Sequence, residues 1–260
     1  MAERVIFVNG SIGRLSKLSI RLYECCGTSL RFAKVLSKEI VSKIEVGMSE
    51  KDIEDTASEV FLAYNVRQHW HRPIIGVGEG STKLSSVHAL ASSFLTEHKR
   101  ILQEDDLVLI DIAPVYMTTY AGDYTTTHVF GNNPELEALV AYARDISRKI
   151  AEYASNEMIV TDVFRYAQEL IRTISNYTRL YPPLISLRHR LSRIHPLENL
   201  PEPGLSYLIL KKFPFIDSSN LTPMDELWVV EPYLMHKERA AKFEELVFVS
   251  RKSVILDRDY

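Results

Sequence analysis

Two acidic residues interrupt runs of apolar residues that otherwise have the composition of buried β-strands. Asp111 lies within Leu107–Ala113 (LVLIDIA), and Glu231 lies within Leu227–Leu234 (LWVVEPYL). A carboxylate that is removed from water needs a cation, a hydrogen-bond network or a proton to compensate the lost hydration. One such acid commonly belongs to a structural ion pair, whereas several that converge favour a metal site.

Two further acids fall on neighbouring predicted strands. Asp123 follows Asp111 across a predicted turn near Pro114, so a hairpin can bring both carboxylates to one face of a sheet. Glu244 and Glu245 open another apolar strand, and the alternation of side chains does not choose between them because both faces of that strand are apolar.

Histidines extend the set of candidate ligands. His189 and His195 lie in the segment 187–196 (LRHRLSRIHP), which contains no acidic residue. Carboxylates combined with imidazole suit Mn, Co, Fe or Zn better than they suit a structural zinc site made of thiolates.

The remaining pattern predicts a mixture of helices and hairpin strands, and therefore an α+β fold. Apolar residues recur at helical spacing in four segments, which are 32–44, 53–64, 136–153 and 163–174. Strands are predicted near 73–78, 107–113, 117–130, 184–194, 207–210, 227–233 and 244–250, and a polar loop is predicted over 79–86.

Composition narrows the classes of protein that this chain can be. Its 260 residues carry a net charge of −3 with a pI near 6.3, which disfavours a generic nucleic-acid binder. No apolar run is long enough to span a membrane, and the N-terminus has no signal-peptide pattern, so neither nucleic-acid nor membrane partners are expected. The adjacent Cys25 and Cys26 are expected to be free thiols in a reducing cytoplasm.

The order Asp, Asp, His, Glu, Glu resembles that of the pita-bread metallopeptidases, which include methionine aminopeptidase, prolidase, aminopeptidase P and the metal-free creatinase. Three motifs carry the resemblance, which extends from about Leu30 to Val249. They are Leu107–Ala113 with Gly122–Gly131 (GDYTTTHVFG), Met224–Pro232 (MDELWVVEP) and Lys242–Val249 (KFEELVFV).

The resemblance implies a single pita-bread catalytic domain over 1–260, in which helices flank a curved antiparallel sheet. Residues 1–29 are expected to be an N-terminal extension packed on this domain, and 260 residues leave no room for the separate N-terminal domain of prolidase. The sequence is compatible with a homodimer but does not determine the oligomeric state.

The resemblance also implies a site that holds two divalent metal ions. Asp111 would chelate one ion, Asp123 and Glu244 would bridge the two, and His189 with Glu231 would complete the second. Glu231 would also move the proton of the attacking water. The resemblance thereby selects Glu244 over Glu245.

Two more histidines match the family's substrate-side positions. His88 precedes the ligands, and His195 follows His189 and would assist the tetrahedral intermediate. A histidine at either position is, taken alone, more often a packing or surface residue.

The chain departs from the family pattern around several of these residues. Arg188, Arg190 and Ser192 stand where glycines usually surround the histidine ligand, and the gap to His195 is about one residue short. Lys242 and Thr126 each replace an arginine, and a lysine does not reproduce the planar donor fork of arginine.

One motif lies outside the family pattern. His69-Trp70-His71 places two imidazoles on one predicted strand face just before Pro73. A surface or packing cluster is the favoured interpretation, and a position at the rim of a pocket is the alternative.

The leading functional expectation is a metal-dependent hydrolase that resembles an aminopeptidase or Xaa-Pro dipeptidase and acts on short peptides or small amides. One alternative is a divergent family member that acts on a non-peptide small molecule, consistent with the altered glycines and with the arginines near His189. The other is a binding module with a decayed site, which the retained acids disfavour.

Overall fold

Two pairs of helices, each followed by antiparallel strands, form most of the described structure. The computed structural model describes residues 5–8, 11–14, 17–85, 100–116, 122–174, 216–249 and 253–256. The first half contains β1 (Val5–Val8), β2 (Ser11–Arg14), α1 (Lys17–Val41), α2 (Glu50–Ala63), β3 (Ile74–Val77), a 3₁₀ helix (Gly78–Ser85), β4 (Asp106–Ile112) and β5 (Tyr124–Phe130). The second half contains α3 (Pro134–Tyr153), α4 (Val160–Arg172), β6 (Glu226–Val230), β7 (Tyr233–His236), β8 (Arg239–Lys242), β9 (Glu245–Val249) and β10 (Ser253–Ile255).

All strand pairs among the described residues are antiparallel. The order is β3-β4-β5 in one sheet and β10-β9-β6 in another, while β1-β2 and β7-β8 form two-stranded ribbons. Helices together with antiparallel sheets confirm the predicted α+β class.

Each helix pair buries its apolar stripe against a different sheet. Residues such as Leu36 and Ile53 of the first pair pack with Ile110 of β4, and Leu139 and Val163 of the second pair belong to a separate core with strands β6 to β10. Ser49 caps α2 by accepting a hydrogen bond from the backbone of Asp52, whose side chain accepts one back from Ser49 N–H.

Contacts between the two halves hold the β7-β8 ribbon against β4 and β5. Thr127 Oγ1 donates to the carbonyl of Lys242 and accepts from its N–H, each at 3.0 Å. Arg239 donates to both oxygens of Asp106, at 2.8 and 2.9 Å, in the forked geometry that suits a carboxylate.

Several predicted boundaries differ from those observed. Helix α1 begins at Lys17 and runs through residue 29, and the extension expected over 1–29 stays a prediction. The predicted polar loop over 79–86 is instead largely a 3₁₀ helix. Pro232 lacks an N–H, and the single strand predicted over 227–233 is divided there into β6 and β7. The strands predicted near 184–194 and 207–210 lie outside the described residues.

Two further predictions concern the helices: that Cys25 and Cys26 of α1 are free thiols, and that no apolar segment is long enough to span a membrane. Cys26 is fully buried and Cys25 partly buried, and both are free thiols, as predicted. Burial raises the pKa of the Cys26 thiol, which keeps it protonated. None of the described helices is both long and apolar enough to cross a membrane.

Replacing Gly122 by alanine is expected to destabilise the fold by about 1–3 kcal/mol, the usual cost of overpacking. A Cβ at Gly122 would lie 2.1 Å from the carbonyl oxygen of Ser29, which belongs to the backbone of α1 and cannot rotate away. Denaturant unfolding measures the effect. Gly27→Ala is the matched control, because its Cβ would meet only the mobile end of Arg31 at 3.4 Å; an equal loss in both variants would contradict the prediction.

Candidate metal centre

The first half of the chain contributes two acids from one hairpin. Asp111 of β4 lies opposite Thr125 of β5, and Asp123 is two residues before Thr125, so all three side chains share one face of the sheet. Both carboxylates are almost completely buried. The predicted placement of this pair by a hairpin is thus observed.

The second half contributes two acids from the paired strands β6 and β9. Val230 at the end of β6 pairs with Glu245 at the start of β9, so the next residues outward, Glu231 and Glu244, lie opposite each other on the other face. This register answers the question that alternation left open, because it places Glu244 rather than Glu245 beside Glu231. Both acids are buried.

The acids of the two strand pairs converge at Asp111. Asp111, Glu231 and Glu244 each offer a carboxylate oxygen within 4.8 Å of the others, and so do Asp111 and Asp123 together with His71. Asp111 belongs to both groups and connects them.

Lys242 lies at the centre of the second group. Its side chain is fully buried, and Nζ is 2.7 Å from Asp111 Oδ2 and 2.9 Å from Glu244 Oε1 and also contacts Glu231 Oε2. The three carboxylates thereby match the three N–H donors of an ammonium group.

His71 lies at the first group. Nε2 is 3.4 Å from Asp111 Oδ1 and 3.8 Å from Asp123 Oδ1, and Nδ1 is 2.7 Å from the carbonyl oxygen of Arg72. The favoured interpretation of His69-Trp70-His71 as a surface or packing cluster is therefore wrong for His71.

Crowding of charge shifts the pKa values of these groups when no metal is bound. Burial alone would lower the pKa of His71, but Asp111 and Asp123 outweigh burial and raise it to about 10. Burial would raise the pKa of Asp111, yet Lys242 and His71 hold it well below its usual range. Burial, Asp123 and Glu231 raise the pKa of Glu244 well above its usual value. Burial would lower the pKa of Lys242, but Asp111, Glu231 and Glu244 raise it.

This donor set fits a divalent cation. Asp111 Oδ1 and Glu244 Oε2 are buried, and neither has a hydrogen-bond partner among the described residues. Within the described part of the chain, the Lys242 ammonium and the His71 ring contact these four carboxylates, which outnumber them two to one, so a divalent cation would help to offset the buried negative charge. Oxygen donors with one imidazole suit Mn, Co, Fe or Zn.

Ser147 of α3 supports the two glutamates from behind. Its buried hydroxyl lies 2.9 Å from the carbonyl oxygen of Phe243 and 3.3 Å from that of Val230, the residues just before Glu244 and Glu231. The hydroxyl therefore ties together the backbone at both positions.

Ser147→Ala is expected to lower the free energy of unfolding by about 1–3 kcal/mol, because the carbonyl oxygens of Phe243 and Val230 lose the one buried hydroxyl hydrogen that they share. Urea unfolding of the metal-free protein measures this loss. Ser42→Ala is the control, since the Ser42 hydroxyl caps an exposed turn through Glu39 O. A loss for Ser147→Ala no larger than that of the control would contradict the prediction.

The outcome of the site predictions differs among the residues. Asp111, Asp123, Glu231 and Glu244 are brought together. His88, His189 and His195 lie outside the described residues, so their roles remain predictions. Thr126 Oγ1 is 3.1 Å from His128 Nε2 on β5, and neither belongs to either group of candidate ligands.

Sequence reasoning missed His71 and the position of the Lys242 ammonium. The signal for His71 was the His69-Trp70-His71 motif itself. Trp70 N–H donates to the carbonyl of Ala113, and Val115 N–H donates to that of Gln68, so this segment runs beside the residues that follow β4.

The fold is similar to that of several solved peptidases. An X-Pro aminopeptidase from Thermotoga maritima matches with a TM-score of 0.70 and 18% identity over 93% of this chain and 62% of its own. A prolidase from Pyrococcus furiosus matches with a TM-score of 0.70 and 18% identity over 94% and 65%. A Xaa-Pro dipeptidase from Bacillus anthracis matches with a TM-score of 0.69 and 14% identity over 94% and 62%. The chain thus spans less than two thirds of the length of each of these three proteins, and the likeness confirms the pita-bread fold.

Comparison of the sequence with curated proteins finds no match. The model of a protein family, metallopeptidase family M24, matches residues 25–251, which is nearly the whole chain and includes all four converging acids. The family expected from the motifs is therefore confirmed: the chain belongs to metallopeptidase family M24.

Proposed function

We propose that this protein is a divalent-metal-dependent hydrolase that cleaves an amide bond in short peptides, in the manner of an aminopeptidase or Xaa-Pro dipeptidase. The convergence of four buried acids from two separate pairs of antiparallel strands carries the proposal. A purely structural core would not concentrate so much charge, because each buried carboxylate has to be compensated.

The chemistry divides between the metal and the side chains. A divalent metal, when bound, acidifies a water molecule and polarises the carbonyl of the scissile bond. Glu231 accepts the proton of the attacking water and delivers it to the leaving amine nitrogen as the C–N bond breaks. His88 and His195 are proposed to contact the substrate on either side of the carbonyl.

The donors for the metal are Asp111, Asp123, Glu231 and Glu244, with His189 as the expected imidazole. The family pattern implies two ions, and the two groups of donors that meet at Asp111 are consistent in number with two cations. Lys242 Nζ lies within one of those groups, which bears directly on how many metal ions the centre takes.

Metal removal is expected to abolish hydrolysis, and its return to restore it. Turnover of a panel of dipeptides and tripeptides, with and without an N-terminal Xaa-Pro bond, is measured after chelation and after addition of Mn, Co, Fe or Zn. Asp111→Asn provides the matched control. Metal addition should not restore hydrolysis in this variant, because the residue common to both donor groups has lost its charge. Hydrolysis that survives chelation, or no turnover of any peptide with any metal, would refute the proposed function.

A second candidate is a hydrolase of a non-peptide small molecule. The observation that favours it is the Lys242 ammonium at the centre of the Asp111, Glu231 and Glu244 group. A screen of non-peptide amides and related small molecules with the same metals separates the two, since only one substrate class should be turned over.

A further inference from the structure

We infer that the centre binds one divalent metal ion, held by His71, Asp111 and Asp123, and that the ammonium group of Lys242 takes the position of a second cation. The inference rests on the proposed function only in assuming that the centre binds metal. It adds His71 as a ligand and replaces the expected pair of ions with one ion and one ammonium group.

The hydrogen bond at Nδ1 orients His71 for metal binding. Nδ1 lies 2.7 Å from the carbonyl oxygen of Arg72, and since a carbonyl only accepts, Nδ1 carries a proton. The other nitrogen, Nε2, then faces the carboxylates as the ligand atom. A backbone carbonyl that fixes the tautomer in this way is a common partner of metal-ligating histidines.

The distances in the His71 group match those between ligands of one ion. Two donors that each lie about 2.1 Å from a metal, at the tetrahedral angle, are about 3.4 Å apart. His71 Nε2 is 3.4 Å from Asp111 Oδ1 and 3.8 Å from Asp123 Oδ1. His71 is also mostly buried, with 14% of its side chain exposed, so its ring is held at the centre rather than at the surface.

The second group is already filled by a cation. Lys242 Nζ contacts Asp111, Glu231 and Glu244, and a metal ion bound to the same three oxygens would overlap the ammonium. The Lys242 backbone is fixed by its two hydrogen bonds with Thr127, and its side chain has no exposed surface into which it could swing.

Asp111 explains how the two cations coexist. Its Oδ2 accepts from Lys242 at 2.7 Å, while its Oδ1 faces His71 and has no hydrogen-bond partner among the described residues. One carboxylate thus serves the ammonium with one oxygen and leaves the other for the metal.

The first test is the number of metal ions bound by the wild-type chain. Equilibrium dialysis against Mn²⁺, Co²⁺ or Zn²⁺, followed by elemental analysis, should give one ion per chain at saturation. Two ions per chain, or none with any of the three metals, would overturn the inference. If the chain binds one ion but cleaves no peptide, the proposed function is refuted and this inference stands. If the chain binds two ions and cleaves peptides, the proposed function stands and this inference is refuted.

The second test compares two histidines of one motif. His71→Ala should weaken Co²⁺ binding by at least about tenfold and alter the visible absorption bands of bound Co²⁺, since a nitrogen ligand is lost. His69→Ala, the matched control, should change neither. Unaltered Co²⁺ affinity and bands in His71→Ala would overturn the assignment of His71, and this comparison does not depend on any variant of Lys242.

The third test removes the ammonium. Lys242→Met keeps a long unbranched side chain without the charge, and it should raise the metal content from one ion to two per chain at saturation. A content that stays at one in the folded variant would overturn the role assigned to Lys242. If the variant does not fold, Lys242→Gln, which is shorter and neutral, is measured in the same way.

Discussion

Glu231→Gln is expected to lower turnover of any peptide substrate by about 100-fold or more, the usual contribution of a general base. Glutamine keeps the shape of the side chain and one oxygen that can accept from Lys242, so the fold should persist. It cannot take up the proton of the attacking water. The measurement is kcat on the best peptide of the panel, together with the thermal unfolding temperature of wild type and variant.

Glu238→Gln is the control for this substitution, since Glu238 lies exposed in the turn between β7 and β8. It should leave kcat and the unfolding temperature unchanged. If Glu231→Gln retained near-wild-type turnover, Glu231 would be a structural partner of Lys242 and another group would have to act as the base. The metal content of the variant distinguishes a lost base from a lost metal.

The sequence was sufficient to predict the residues whose positions depend on local strand geometry. Asp111 and Asp123 belong to adjacent strands of one hairpin, and period-two alternation together with pairing places them on one face. Glu244 and Glu245 could not be separated by the same rule, because both faces of β9 are buried. The family resemblance selected Glu244, and the register between β6 and β9, which is set by tertiary packing, places Glu244 beside Glu231.

The contributions of His71 and Lys242 were not predictable from alternation. His71 reaches the acids because its segment forms hydrogen bonds beside the residues that follow β4, and that contact joins residues far apart in the sequence. Lys242 was identified as a replacement for an arginine. Where its nitrogen comes to rest depends on the length of the side chain and on the pairing of β8 with Thr127.

The division of the predicted strand at Pro232 shows that residue pattern alone also fails to predict some secondary structure. An apolar run from Leu227 to Leu234 has the composition of one strand, but the chain divides it and returns through β8. That return brings Lys242 Nζ to 2.9 Å from Glu244 Oε1, inside the group formed by Asp111, Glu231 and Glu244. The composition of the segment does not predict this turn.

The second large effect is expected from Lys242→Met in the absence of metal, with a loss of about 3–5 kcal/mol in the free energy of unfolding. Asp111, Glu231 and Glu244 would lose the cation that compensates their burial. Urea unfolding of the chelated protein measures the loss.

Lys149→Met is the control, because Lys149 is half exposed on α3 and its solvent-screened ion pair with Asp145 should contribute little to the free energy of unfolding. Metal should rescue Lys242→Met more than wild type, since the variant offers two empty cation positions. Each position that binds metal adds about 2.7 kcal/mol at a free concentration one hundred times its Kd. Equal rescue of the two proteins would mean that the ammonium and the metal do not compete, and the buried lysine would then be only an internal counter-ion.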